Sequence, residues 1–486
     1  MAEFALSRRF SEIPSPVIEQ LKKHLLDSLA SLIHCLHKPS VQKLSAQLAT
    51  FSDGGDCPVP VLGKLPVDRA AQFYTALIRY PDFMDNFLGK EATCHPCDNI
   101  GGILAIAQRN DSNGRDLLTA MAIAYEIECR LVEEVPVMIK GFDHTLLLSY
   151  SLTAACSRLM RLTEEQTAHA LAIAGCTFNP LVSCRASYTY EWKGFLSSMV
   201  ALGCVNAVFL AKNDMTGPIS IFEGNKGFQK EFGMELDYDW RKDRFDLIPR
   251  CILKNYNSEV HSQSLIEAAL ELKRSHNITP NKIRSITLTT FLTAYHIIGG
   301  GEYGDRKEVH SKEQADHSLP YVVAAAFLDG ELYPDQLLPD RINRHDVQSL
   351  LKKIRVRTKF PLHRPLEITG FIDPYTRVYP GKLMGQVRIA LNNGKKFSLE
   401  KEDYHGFHTR PLSWEDVTQK FLRLSKENAG PGLQEQIIKC VASIEKRNIR
   451  ELCTLITKCG AHTHERHTYK RRYNRARRPV LHQSKT

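Results

Sequence analysis

The chain has 486 residues, 43% hydrophobic and 24% charged, with a formal net charge of +10. This exceeds the roughly 250–300 residues at which a single core stops growing, so two domains are expected, and no apolar run reaches the roughly 18 residues that cross a bilayer. Nine Lys/Arg against one Glu in residues 458–486 supply +8 of the charge, so the rest is close to neutral and offers no general basic surface to a nucleic acid.

The opening MAEFALSRRFSEIPSP carries Glu3 and lacks the continuous apolar stretch of a secretory signal. Ser15 and Pro16 read as a cap and first-turn pair, and Ile18, Leu21, Leu25, Leu29, Leu32 and Leu36 then recur at helical spacing. At 91–102 the stretch EATCHPCDNIGG sets Cys94 and Cys97 around His95-Pro96. Three readings are open there: a redox dithiol, half of a zinc site, or a loop in which His95 alone carries chemistry. Residues 117–132 and 195–211 read as buried helices, and TEEQ (163–166) has capping-box spacing and opens an Ala-rich helix ending at Gly175.

The pattern changes near residue 250. KIRSITLTTF and KIRVRTKF alternate as strands do, and QVRIALNNGKKFSLE places two alternating runs around Asn393-Gly394, a hairpin signal. Helical stretches at 264–273 and 321–328 lie between them, and SWED (413–416) opens a further helical stretch to about 457. The expected fold class is α+β: a large all-α helical domain built from both chain ends, with an inserted smaller α/β lid domain. The boundaries are 1–250 and 411–457 for the helical domain, 251–410 for the insert, and 458–486 for a basic, disordered tail.

Thirteen cysteines without a repeated framework suggest reduced thiols and an intracellular place, cytoplasmic or mitochondrial. GGGEYG (299–304) satisfies a dinucleotide-loop pattern after a strand-like segment, but the polar DRKEVHSKEQAD that follows is no Rossmann helix, so it reads as a mobile glycine loop. No second CxxC exists to complete a zinc site, and Cys459, His462, His464 and His467 in the tail read as incidental. Nucleic acid is expected, if at all, only through the tail.

Seven ordered phrases carry more: DFMDNF (82–87), HPCDNIGGILA (95–105), GFDHTLLL (141–148), WKG (192–194), TGPISIFEGNKGF (216–228), EVHSQS (259–264) and LPYVVAAAFLDG (319–330). Together they resemble the MmgE/PrpD family, which contains 2-methylcitrate dehydratase and cis-aconitate decarboxylase. The resemblance covers about residues 10–457 and implies a helical domain with an α/β lid, a homodimer, a tricarboxylate substrate in the cleft, and no metal or organic cofactor. It implies a pocket of Asp82, His95, His144, Lys193, His261 and Tyr321, with Asn86 where decarboxylases of the family tend to carry Thr. Cys97 stands where methylcitrate dehydratases tend to carry Ser, so the CHPC loop needs neither redox nor zinc chemistry.

Dehydrating a citrate removes a proton α to a carboxylate while hydroxide leaves, which requires a base, an acid and cations near the developing charge. On that reading His95 and His144 move protons, Asp82 orients one of them, Lys193 pairs with a substrate carboxylate, and Arg185 is a further anion partner. His261 and Tyr321 complete the pocket and supply the acid; the ordinary structural alternatives are a helix cap for His261 and a core position for Tyr321. The expected reaction is dehydration of 2-methylcitrate or an alkylcitrate. The alternatives are a cis-aconitate-like decarboxylase, or an inactive relative acting through its tail.

Overall fold

The computed structural model describes residues 1–51, 54–186, 188–360 and 372–461. The chain begins with a series of helices: α1 (Ser15–Cys35), α2 (Val67–Arg79), α3 (Asp98–Arg109), α4 (Gly114–Glu134), α5 (Thr145–Leu159), α6 (Glu164–Thr177) and α7 (Leu196–Lys212). In the middle section come α8 (Gln263–His276), β1 (Ile283–Thr290), α9 (Leu319–Asp329), β2 (Ile354–Thr358), β3 (Gly385–Leu391) and β4 (Lys396–Lys401). The single helical stretch expected after 413 is three helices, α10 (Trp414–Ser425), α11 (Pro431–Ala442) and α12 (Ile449–Thr457).

Two apolar cores organise these elements. The first gathers side chains from Phe4 to Leu253 and again from Leu412 to Cys459; α10 lies against α1, and α12 against α3. The second runs from Ile252 to Phe407, with Leu88 added from the early part of the chain. Its sheet has the order β2-β1-β3-β4, with β1 parallel to β2 and antiparallel to β3, and with α8 and α9 packed on it. Ile286 and Leu288 of β1 face Ile389 and Val387 of β3, so the alternation in sequence becomes one buried face.

Entry to and exit from the second core run side by side: Leu253 N–H donates to the Gly406 carbonyl at 3.1 Å. Gly406 has φ +126°, and a Cβ there would stand 2.3 Å from the Leu253 carbonyl oxygen, so only glycine closes this junction. A second close approach positions the site: a Cβ on Gly101 of α3 would meet Thr75 of α2 at 2.3 Å, and this intimacy brings the start of α3 to the end of α2.

Several local expectations shift. Ser15 lies inside α1, whose cap is Pro14, and α6 runs past Gly175 to Thr177; its Thr163–Gln166 capping box is present, as is that of Ser413 and Asp416 before α10. The first half also holds two short ribbons, Cys57–Val59 with Gly63–Leu65 and Phe87–Leu88 with Thr93–Cys94. GGGEYG follows a helix, Leu292–Ile298, where the sequence suggested a strand, so the dinucleotide context is lacking on both sides. All thirteen cysteines are free thiols. His462, His464, His467 and the rest of the tail from 462 lie outside the described residues.

Candidate active site

Helix α2 ends at Arg79, and three residues later Asp82 adopts φ +57°, a left-handed conformation that Asp tolerates better than most side chains. Its carboxylate, 2% exposed as a residue, accepts from Lys193 Nζ through Oδ2 and from Lys254 Nζ through Oδ1, both at 2.6 Å, with Arg79 Nη1 at 3.5 Å. Lys193 comes from the short turn Glu191–Gly194 and also meets Asp316 Oδ1 at 3.2 Å and His317 Nδ1 at 3.0 Å. Asp316 Oδ2 in turn faces Lys312 Nζ at 2.9 Å. Asp82 and Lys193 stand on the first core and Asp316 and His317 at the start of α9, so this cluster bridges the two.

Burial works against the Asp82 charge, but Lys193, Lys254 and Arg79 outweigh it and hold the carboxyl well below its usual range. Burial lowers the Lys193 pKa, with Asp316 and Asp82 opposing. His317 is likewise brought down to about 4, by burial and then by Lys193. Its Nδ1 also lies 2.8 Å from Asp316 Oδ1, so it serves one neighbour at a time: unprotonated it accepts from Lys193, protonated it donates to Asp316.

His95 follows the second ribbon. Its loop is pinned by Asp85, whose carboxylate accepts from Tyr125 Oη at 2.7 Å and the Cys97 N–H at 3.0 Å and lies 2.7 Å from His24 Nδ1. The Asp85 carbonyl lies 2.8 Å from His95 Nδ1. A carbonyl oxygen only accepts, so Nδ1 carries the hydrogen and Nε2 keeps the lone pair of a base. His144, just before α5, packs edge-on with ring centroids 5.1 Å from His95, and its buried Nδ1 has no hydrogen-bond partner among the described residues. Burial, reinforced by Arg79, depresses the His95 pKa well below normal. Burial also takes His144 to about 3, since adjacent Asp143 only partly offsets it. Both rings are neutral at physiological pH.

Arg79 connects the two groups. It sits 3.5 Å from Asp82 Oδ1 and 3.7 Å from Asp98 Oδ2 at the start of α3, and its charge acts on His95, His144 and Lys193. Asp98 itself is pushed up to about 7 by burial, which Arg79 only partly offsets. Arg79, Tyr80, Asp82, Lys193, Gly194, Lys312 and Glu313 line a narrow crevice on the Asp82 side of this group, with neither His95 nor His144 in its wall.

The other expected residues fare differently. Arg185 is taken by the protein's own Asp143, Nε to Oδ2 at 2.5 Å and Nη2 to Oδ1 at 3.2 Å. Asn86 bridges to Ile252 through its backbone, and its buried Oδ1 has no partner among the described residues. His261 is held by Glu259, 2.7 Å from Nδ1, and by Tyr379 Oη, 3.0 Å from Nε2, and the Glu259 N–H donates to the Asp316 carbonyl at 2.9 Å, which ties this segment to the Lys193 cluster. Tyr321 takes the core position: its hydroxyl donates to the Gln336 carbonyl at 2.6 Å, and its charged neighbours are Arg341, Asp329 and Asp346. Burial pushes the Cys94 and Cys97 thiols far up, and neither belongs to a converging ligand group among the described residues.

Two such groups do occur among the described residues, Asp82–Asp316–His317 and Glu126–Asp243–Asp246. A protein cation already sits in each: Lys193 Nζ in the first, and in the second Arg130 Nη2, 2.9–3.5 Å from the three carboxylates.

Sequence reading missed Arg79, Lys254, Asp316, His317 and Asp85. Signals existed: Arg79 stands three residues before Asp82, Lys254 follows the apolar run CIL, and Asp316-His317 are separated from LPYVVAAAFLDG by Ser318 alone.

The family model described as MmgE/PrpD N-terminal domain matches residues 1–241, and that described as MmgE/PrpD C-terminal domain matches residues 256–446. The chain is 26% identical over 416 residues to 2-methylcitrate dehydratase of Escherichia coli K12, covering 79% of this chain and 81% of that protein. It is 24% identical to cis-aconitate decarboxylase of Mus musculus (81% and 78% covered) and 31% identical to an alkylcitrate dehydratase of a fungal species (63% and 64% covered).

Proposed function

The chain belongs to the MmgE/PrpD family, and on that premise we propose that it is a carbon–oxygen lyase, a metal-independent hydro-lyase that removes water from 2-methylcitrate or a related alkylcitrate. The observation that carries this is the pairing of a neutral, tautomer-fixed imidazole, His95, with a buried ammonium, Lys193, in a site joined by Arg79. His95 Nε2 takes the proton α to a carboxylate, and His144 packs against it as an edge-on neighbour. The carboxylate that gains charge is stabilised by the surrounding cations. Both imidazoles being neutral, Lys193 is the group with a proton to give; it protonates the departing hydroxyl, which leaves as water. Metal independence is supported by Lys193, which occupies the space among the three potential ligands.

The section around α9 would act as a lid, since Asp316 and His317 complete the cluster from the second core. A homodimer belongs to the same proposal: Tyr188, Tyr190 and Trp192, beside Lys193, are 61%, 71% and 49% exposed, an apolar group that a chain seldom leaves bare. Its place is a reducing compartment, cytoplasmic or mitochondrial, consistent with thirteen free thiols.

The test is purified protein with 2-methylcitrate, citrate and cis-aconitate, following alkene absorbance and CO2 together. Dehydration predicts alkene from 2-methylcitrate without CO2. CO2 from cis-aconitate with no alkene formation would replace this reading with decarboxylation.

A further inference from the structure

We infer that Arg79 is the receptor for a substrate carboxylate, the role the sequence suggested for Lys193; this rests on the tricarboxylate reading above. The inference follows from which cation has donors to spare. An ammonium has three N–H groups; two of those of Lys193 face Asp82 Oδ2 and Asp316 Oδ1, and the third, which faces the neutral His317 Nδ1, is the proton it gives to the departing hydroxyl, so none is left for a carboxylate. Lys254 directs two of its three N–H groups at Asp82, the side chain at 2.6 Å and the carbonyl at 3.1 Å. Lys312 is bound to the Tyr80 carbonyl at 2.7 Å and to Asp316 at 2.9 Å. Arg185 is closed by Asp143.

Arg79 differs. It is 1% exposed, yet its Nε has no hydrogen-bond partner among the described residues and only an ion-pair contact at 3.7 Å with Asp98 Oδ2, and its hydrogen-bond contacts are Nη1 at 3.5 Å from Asp82 and 3.9 Å from Met84 Sδ. A fully buried guanidinium left with so few bonds is costly unless a ligand completes it. It lines the narrow crevice beside Asp82 and Lys193. Its planar fork suits two-point capture of a carboxylate. The charges agree: the four cations Arg79, Lys193, Lys254 and Lys312 face the three carboxyls of Asp82, Asp316 and Asp98, the last with its pKa raised to about 7, which leaves an excess of cation for a polyanion. Held there, one carboxylate would lie beside the Lys193 ammonium.

The experiment compares wild type with Arg79→Gln and Arg79→Lys, reading KM and kcat on 2-methylcitrate and binding of tricarballylate, a tricarboxylate without the hydroxyl, by calorimetry. Loss of a bidentate charged pair predicts KM and the tricarballylate Kd each raised about 10- to 100-fold in Arg79→Gln. Arg79→Lys, which keeps charge but loses the fork, should be intermediate, and added methylguanidinium should restore part of the Arg79→Gln loss, which a purely structural role would not allow. Unchanged KM and Kd in a folded Arg79→Gln protein overturn the inference while leaving the dehydratase reading intact. Arg79-dependent tricarballylate binding without turnover of any acid upholds the inference and removes the reaction. Absence of binding to wild type removes both.

Discussion

Replacing Lys193 with Met tests the assignment of the acid. The ammonium holds Asp82 and Asp316 together, and removing one partner of a buried ion pair costs about 3–5 kcal/mol when the other charge is left alone. Here neither is: Asp82 keeps Lys254 at 2.6 Å and Asp316 keeps Lys312 at 2.9 Å, so the lower end, about 3 kcal/mol, applies. At about 2.1 cal/mol/K per residue, 486 residues unfolding as one unit lose about 1 °C of Tm per kcal/mol, so calorimetry should show a fall of about 3 °C. The kinetic loss should be far larger, about 10²–10⁴-fold in kcat, the usual worth of a positioned acid. In wild type kcat should fall as alkaline pH deprotonates Lys193, whose pKa burial has lowered, and that limb should be absent from the variant. A Lys193→Met enzyme that keeps both its rate and the alkaline limb would refute the assignment.

Tyr321→Phe should leave kcat essentially unchanged and cost about 1–2 kcal/mol of stability, the worth of its bond to the Gln336 carbonyl; a large fall in kcat would put the hydroxyl in the chemistry. Asp98 has a folded pKa raised from 3.8 to about 7, so the folded state binds its proton more tightly, and wild type loses stability as pH rises from about 4 to about 7. Asp98→Asn should therefore match wild type near pH 4 and exceed it by up to about 4 kcal/mol at pH 8 in denaturant unfolding; a difference independent of pH contradicts the burial argument. Gly406→Ala should destabilise by about 3 kcal/mol, because its Cβ meets the Leu253 carbonyl and its φ is positive.

Strong periodicity and cap chemistry made much of the fold legible: α1, α6, the β3–β4 hairpin and the α10 capping box all announce themselves locally. Helix α2 did not, because VDRAAQFYTALIR opens after Pro66 with no capping side chain, and so Arg79 stayed hidden. Of the candidate site, His95, His144, Asp82 and Lys193 could be named because they lie within the phrases that carry the family resemblance. Lys254, Asp316 and His317 join only when the second core folds over the first, a long-range event no local pattern records. The partners of Tyr321 and Arg185 were hidden for the same reason: Gln336 and Asp143, which engage them, are 15 and 42 residues away.

The most direct test is alkene formation from 2-methylcitrate, with a metal chelator present, by wild type and by His95→Asn, whose side-chain amide can still donate to the Asp85 carbonyl but offers no basic Nε2. Full wild-type activity with chelator and a variant slower by about 10²–10⁴-fold are the expected results. Activity abolished by chelation, or a His95→Asn enzyme as fast as wild type, would contradict the proposal.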